Sequence, residues 1–209
     1  MITLGIDCGT SALKAALVDA EGTVLASASR GYRPDHPKPL GSEQAPQVGL
    51  AAMRAAIDDL HQSAPTAMKR LRAIGFSGQM HSAVLLGRDD RPLRPAMLHN
   101  DARAFAEARE LWEKHCPLAG VVGVKPMAGF TAPKLMWLRR HEPQSFARIA
   151  CVLLPKDYLR LQLTGEKRTD MSDAAGTWWL DEAERRWSPD ALGASGVDPA
   201  WLPPLSEAS

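Results

Sequence analysis

The segment Asp7-Cys8-Gly9-Thr10-Ser11, followed shortly by Lys14, gathers residues suited to binding an anion. Gly9 lets a backbone come close to a ligand. The hydroxyls of Thr10 and Ser11 and the neighbouring N–H groups can donate to phosphate oxygens. Lys14 adds positive charge, and Asp7 can hold a Mg²⁺ ion through its water shell. The same residue types also make a plain hairpin turn, so the local pattern leaves two readings open. Neither GxxxxGK[ST] nor GxGxxG occurs, which removes the P-loop and the Rossmann fingerprint.

Three more clusters carry polar chemistry. Gly78-Gln79-Met80-His81 sits between two apolar runs. Gln79 and His81 can match a ligand rich in hydroxyls, with Met80 as a polarizable wall, or they can simply be satisfied loop residues. Asn100, Asp101 and Arg103 precede an amphipathic run, where Asn and Asp also serve as helix N-caps. Asp170 and Asp173 offer paired carboxylates, but a Ser/Asp turn of this kind reads as structural.

The elements that position these residues follow from pattern. Residues 2–7, 12–18 and 23–27 read as an antiparallel three-stranded start with a turn at Asp19–Gly22. Residues 32–47 read as loop. Met53, Ala56, Ile57 and Leu60 fall at helical spacing within 48–62. Strands are expected at 72–76, 83–87, 151–154 and 178–180. Helices are expected at 102–115, with Phe105, Ala108, Leu111, Trp112 and His115 on one stripe, at 132–141, at 157–163 ended by Gly165, and after Ser188-Pro189. A short helix opens at Pro143. Pro199, Pro203 and Pro204 lead into an end with no closing element.

Composition narrows the class. Apolar residues make up 45% and charged residues 23%, ordinary globular values. The net charge of +1 gives no global field for polyanions, so nucleic acid is not an expected partner. No apolar run reaches the ~18 residues of a membrane span. The N-terminus reads as neither signal peptide nor anchor. Cys8, Cys116 and Cys151 are far apart and without CxxC spacing, which fits reduced thiols. A cytoplasmic location is expected.

GIDCGTSALKAALVDAEGTVL at the start resembles the first hairpin of the sugar-kinase, actin and heat-shock-protein superfamily. GFSGQMHSAVLL (75–86), RPLRPAMLHNDAR (91–103), GFTAPKLMWLRRHEP (129–143), LLPKDYLRLQLTGE (153–166) and TDMSDAAGTWWLD (169–181) continue the likeness in order, and the chain resembles the FGGY carbohydrate kinases. The resemblance implies an α/β, ribonuclease-H-like or actin-like ATPase domain, a mixed sheet with helices on both faces. It implies a phosphotransferase acting on an alcohol group: ATP-dependent phosphorylation of D-xylulose to D-xylulose 5-phosphate. Ribulose, gluconate and glycerol, or a non-catalytic sugar-binding remnant, are the alternatives. By the same resemblance Asp7 acts on Mg²⁺ and phosphate, and Thr10, Ser11 and Lys14 lie near the ATP phosphates. Gln79, Met80, His81, Asn100, Asp101 and Arg103 then hold the sugar, with Asp101 and Arg103 clamping vicinal hydroxyls. The family's catalytic Asp belongs to a Gly-Gly-x-Asp-Asn motif, which these residues lack. Residues 1–209 are thus expected to be an N-terminal sugar-binding domain, incomplete at its C-terminal end and without the nucleotide domain. Such a chain should be nearly inactive alone, and a homodimer is a further expectation. His99 and Ser82 stand where the family has Trp and a small Gly.

Overall fold

The structure, a computed structural model, describes residues 1–207. Its first layer is set by period-two alternation. Ile2, Leu4, Ile6 and Cys8 of β1 (Ile2–Cys8) are buried, while Thr3, Gly5 and Asp7 between them face the other way. β2 (Ala12–Val18) buries Leu13, Ala15 and Leu17 in the same manner, and β3 (Val24–Gly31) completes the antiparallel meander. The segment expected as loop then contains β4 (Glu43–Gln44). α1 (Pro46–Ser63) buries Gly49, Ala52, Met53, Ala56 and Leu60, one stripe at helical period, against this sheet. After the short α2 (Pro65–Lys69), β5 (Leu71–Gly78) runs parallel to β1, giving the order β3-β2-β1-β5.

The chain then builds a second lobe. β6 (Val84–Leu86) is buried along its whole length, and β7 (Ala96–Met97) pairs with β4. α3 (Phe105–His115) starts later than predicted. It buries Glu107, Ala108 and Leu111 and leaves Phe105 60% exposed, so the expected stripe is rotated. α4 (Thr131–His141) and α5 (Pro143–Phe146) follow as expected, and β8 (Cys151–Leu153) pairs antiparallel with β6. α6 (Pro155–Thr164) ends at Gly165, whose positive φ of 72° suits glycine. β9 (Thr169–Asp170) and α7 (Met171–Ala175) come next. β10 (Leu180–Asp181) pairs with β11 (Arg186–Trp187), one step beyond the expected 178–180 strand. α8 (Pro189–Ser195) is capped by the Ser188 hydroxyl, and β12 (Leu205–Ser206) pairs with β9, so a closing element does exist.

The β6–β8 ribbon divides two cores. Val84, Leu86, Cys151 and Leu153 point to the sheet, α1 and α6. Leu85 and Val152 point to α4, α8, Trp178 and Trp179. A ribbon buried on both faces reads as a continuous apolar run, which is how Cys151–Leu153 looks in sequence. The family resemblance implies helices on both faces of the main sheet. Among the described residues α1 and α6 cover one face. The other carries Gly5, Lys14, Ala16, Ser29, Gly75 and Ser77, which line an open trough of about 990 Å³. These residues are small or polar, and Ile6, Val24 and Phe76 are the larger apolar side chains that line the trough with them.

Candidate functional site

Parallel β1 and β5 are neighbours, so the loops leaving their carboxyl ends emerge side by side. Cys8 is paired with Gly78, and the Gln79 N–H donates to the Cys8 carbonyl at 2.9 Å. This joins the candidate phosphate loop to the candidate sugar loop. In open α/β sheets, a crevice at the carboxyl ends of the strands is where ligands bind.

The first loop is a tight hairpin. Gly9 N–H donates to the Ala12 carbonyl at 3.1 Å, and a Cβ on Gly9 would stand 2.9 Å from that oxygen. Tyr32 straps it: its hydroxyl donates to the Gly9 carbonyl (2.7 Å) and its N–H to that of Ser11 (2.9 Å). Asp7 is half-buried on the trough side of the sheet. One carboxylate oxygen accepts from the Ser77 hydroxyl at 2.9 Å, and Lys14 is its register partner on β2. Thr10 is half-buried and Ser11 exposed at the turn. Burial pushes the Cys8 thiol up to about 11, so it acts here as a packing group rather than a nucleophile.

The second loop is held from outside. His81 has a φ of +62°, a left-handed backbone that costs a non-glycine residue about 1–2 kcal/mol. Its carbonyl accepts from Lys134 Nζ (2.9 Å) and Thr131 Oγ1 (3.2 Å). Its ring lies 4.3 Å from that of Phe130, and its Nδ1 is 2.6 Å from the Gly176 carbonyl. Any side chain on Gly176 would run into the ring. Burial lowers the His81 pKa, only partly opposed by the Gly176 bond, so the imidazole is neutral at pH 7. A carbonyl can only accept, so Nδ1 carries the proton and Nε2 remains an acceptor for a hydroxyl. Met80 is 52% exposed beside it. Gln79 turns inward: its Oε1 accepts from the Ser82 hydroxyl at 3.1 Å, and its amide is buried. Ser82, where the resemblance expects glycine, thereby ties the loop to itself.

The third cluster differs from expectation. Asp101 is 1% exposed and is not a helix cap, since α3 begins after Ala104 without a side-chain cap. One Asp101 oxygen accepts from Arg103 N and Nε (both 3.1 Å). The other accepts from Ser42 N (2.8 Å) and Arg103 Nη2 (2.7 Å). Arg103 also donates to Glu43 (2.5 Å), which Arg94 contacts in turn, and its guanidinium lies 4.8 Å from the Trp137 ring centroid. Burial opposes the Arg103 charge, but the bonds to Asp101 and Glu43 outweigh it and raise its pKa. Asp101 and Arg103 therefore clamp each other instead of standing free to clamp vicinal hydroxyls. Asn100 is the exposed member.

The acidic turn is structural, as its composition suggests. Asp170 caps α7 by accepting from Asp173 N (3.0 Å), and Lys156 Nζ reaches Asp157 and Asp170 (both 2.6 Å) and Asp173 (3.2 Å). Burial pushes Asp173 up to about 6, against the pull of Lys156. This cluster anchors α7 and, through it, Gly176 under the His81 ring.

Sequence reasoning passed over Lys134, Glu43, Ser42 and Gly176. Lys134 left a signal. Thr131–Leu138 of α4 is buried at every position, and a lysine in such a run must have a partner inside.

Residues 2–209 match the N-terminal domain of the FGGY family of carbohydrate kinases. The chain belongs to that family. It is 47% identical over 210 residues to xylulose kinase of Escherichia coli (strain K12) and 44% over 206 residues to xylulose kinase of Klebsiella pneumoniae. In both cases 99% of this chain is covered but only 42% of the relative. The crystal structure of a xyloylose kinase from Brucella ovis superimposes with a TM-score of 0.96 at 45% identity, over 99% of this chain and 42% of that one. The expected actin-like fold of the family is thus present in this FGGY chain. No described helix is long and apolar enough to cross a membrane.

Proposed function

We propose that this chain supplies the sugar side and one phosphate loop of a kinase that phosphorylates D-xylulose to D-xylulose 5-phosphate with ATP. The observation that carries the reading is the joining of the two loops. Asp7–Ser11 and Gln79–His81 leave adjacent parallel strands and share the Gln79–Cys8 hydrogen bond. The xylulose kinases among its relatives make D-xylulose the substrate of choice.

His81 Nε2 accepts a sugar hydroxyl, Met80 forms an apolar wall beside it, and Asn100 offers an exposed amide. Asp101 and Arg103 act indirectly, by fixing the backbone that leads into α3. On the other side, Thr10, Ser11 and Lys14 meet the ATP phosphates. A Mg²⁺ ion fits Asp7: Ser77 occupies only one carboxylate oxygen, and the small residues around the trough leave room for hydrated metal. When bound, the ion would neutralise phosphate charge. The chain's own part in the reaction is positioning and orientation of the two substrates. No proton acceptor is assigned within these 209 residues, because the Gly-Gly-x-Asp-Asn sequence is absent from them.

ADP formation tests the proposal. A polypeptide carrying these residues together with the remainder found in the relatives is assayed with D-xylulose, D-ribulose, gluconate and glycerol. Preference for D-xylulose supports the reading, and strong preference for any of the others overturns it.

A further inference from the structure

Lys134 is fully buried in α4, yet among the described residues its hydrogen-bond partners are two backbone carbonyls, those of His81 (2.9 Å) and Gly129 (2.5 Å). No described carboxylate lies within ion-pair distance of it. Burial wins by lowering its pKa, and Asp101 attracts its charge only from beyond contact distance, so a close ion pair does not explain its presence. What it does is gather two loops. One is the Gln79–Ser82 loop, with His81 in its left-handed conformation. The other is the turn before α4, where Gly129 packs so closely on the His99 carbonyl that a Cβ would overlap it. Phe130, next in that turn, packs its ring against the His81 ring at a tilt of 43°. One amino group thus fixes the strained carbonyl of His81, the aromatic wall against its ring and the strand end that carries His99 and Asn100.

We propose that Lys134 is a positioning residue for sugar recognition, its N–H donors holding His81 in the left-handed backbone that aims Nε2 and Met80 at the ligand. This rests on the sugar-side reading of His81 given above. The amino group can donate to both carbonyls in either protonation state, with three N–H bonds as the ammonium and two as the neutral amine. Thr131 adds a longer bond to the same carbonyl and plays the lesser part.

The test uses the 209-residue chain and two substitutions. Lys134→Met keeps the length and removes every donor, whereas Lys134→Gln keeps two N–H donors without the charge. Calorimetry with D-xylulose gives affinity, and the His81 HN–Hα coupling in NMR reports its φ. In Lys134→Met the coupling should leave the left-handed value and the affinity should fall about tenfold or more. Lys134→Gln should recover part of both. An unchanged coupling and affinity in a folded Lys134→Met chain would overturn the proposal. If that variant does not fold, the wild-type chain decides. The ζ-nitrogen resonance of Lys134 should shift together with His81 on addition of D-xylulose, and a His81 shift without one from Lys134 contradicts it. Should the wild-type chain bind no D-xylulose, the sugar-side reading fails, while the His81 coupling in the two variants still settles whether Lys134 sets that backbone.

Discussion

The hairpin loop at Asp7–Lys14 and the loop at Gln79–Ser82 leave adjacent strands but are built in opposite ways. The hairpin closes on itself through the Gly9–Ala12 bond, and Tyr32 is its strap. The second loop makes one short local bond, Ser82 N–H to the Met80 carbonyl at 2.7 Å, together with the Ser82–Gln79 tie. The groups that hold His81 itself come from far along the chain: the Phe130 ring beside it, and Thr131, Lys134 and Gly176, separated from it by 50, 53 and 95 residues. A loop that recognises a phosphate needs little beyond backbone N–H groups and a glycine. A loop that aims one imidazole at one hydroxyl needs walls, and the walls belong to other elements.

That contrast predicts unequal sensitivity to substitution. The largest effect is expected from Asp101→Ala, which leaves the Ser42 N–H without its buried acceptor and Arg103 with Glu43 as its remaining carboxylate partner. Breaking such a pair costs about 3–5 kcal/mol, and urea unfolding would show it as a lowered midpoint. A midpoint within experimental scatter of the wild type would mean that the Asp101–Arg103 clamp is not a support.

Lys134 gives a pH signature next. Burial lowers its pKa from 10.5 to about 7 in the folded chain. Between those values the unfolded chain binds the additional proton, so this group makes stability rise as pH climbs from about 7 towards 10. Denaturant unfolding at pH 6 and pH 9 should show that contribution in the wild type and its loss in Lys134→Met. Parallel pH dependence in the two proteins would mean that burial in α4 does not shift the titration of Lys134.

The hairpin should respond more gently. Gly9→Ala forces a Cβ against the Ala12 carbonyl and should cost about 1–3 kcal/mol, an overpacking effect confined to the turn. Smallest of all is Asp7→Asn. It alters one hydrogen bond at a half-buried position and should change stability by no more than ~1 kcal/mol, with D-xylulose affinity unaltered. A large loss of sugar affinity from Asp7→Asn would erase the division of labour between the two loops.

The same contrast decides what could be read from the residues alone. The meander, α1, the Gly165 and Ser188 signals and the loop at Asp7–Lys14 are local patterns, and each stands in the fold where its spacing puts it. Asp101 and Arg103 looked like helix-cap or ligand groups because their true partners, Ser42 and Glu43, arrive from a segment that reads as loop. The stripe of α3 was misplaced because Glu107, a buried acid, pairs with Arg140 of α4, and periodicity alone does not expect a carboxylate inside. Gly176 carries no mark that it lies against a histidine ring 95 residues away.

The sugar site proposed around His81 is open to direct measurement. Calorimetric titration of D-xylulose into the wild-type chain and into His81→Ala tests it most directly. Saturable binding by the wild type is expected, with affinity lost in His81→Ala while the fold, followed by its unfolding midpoint, survives. Equal affinity in both chains, or no binding by the wild type, would contradict it.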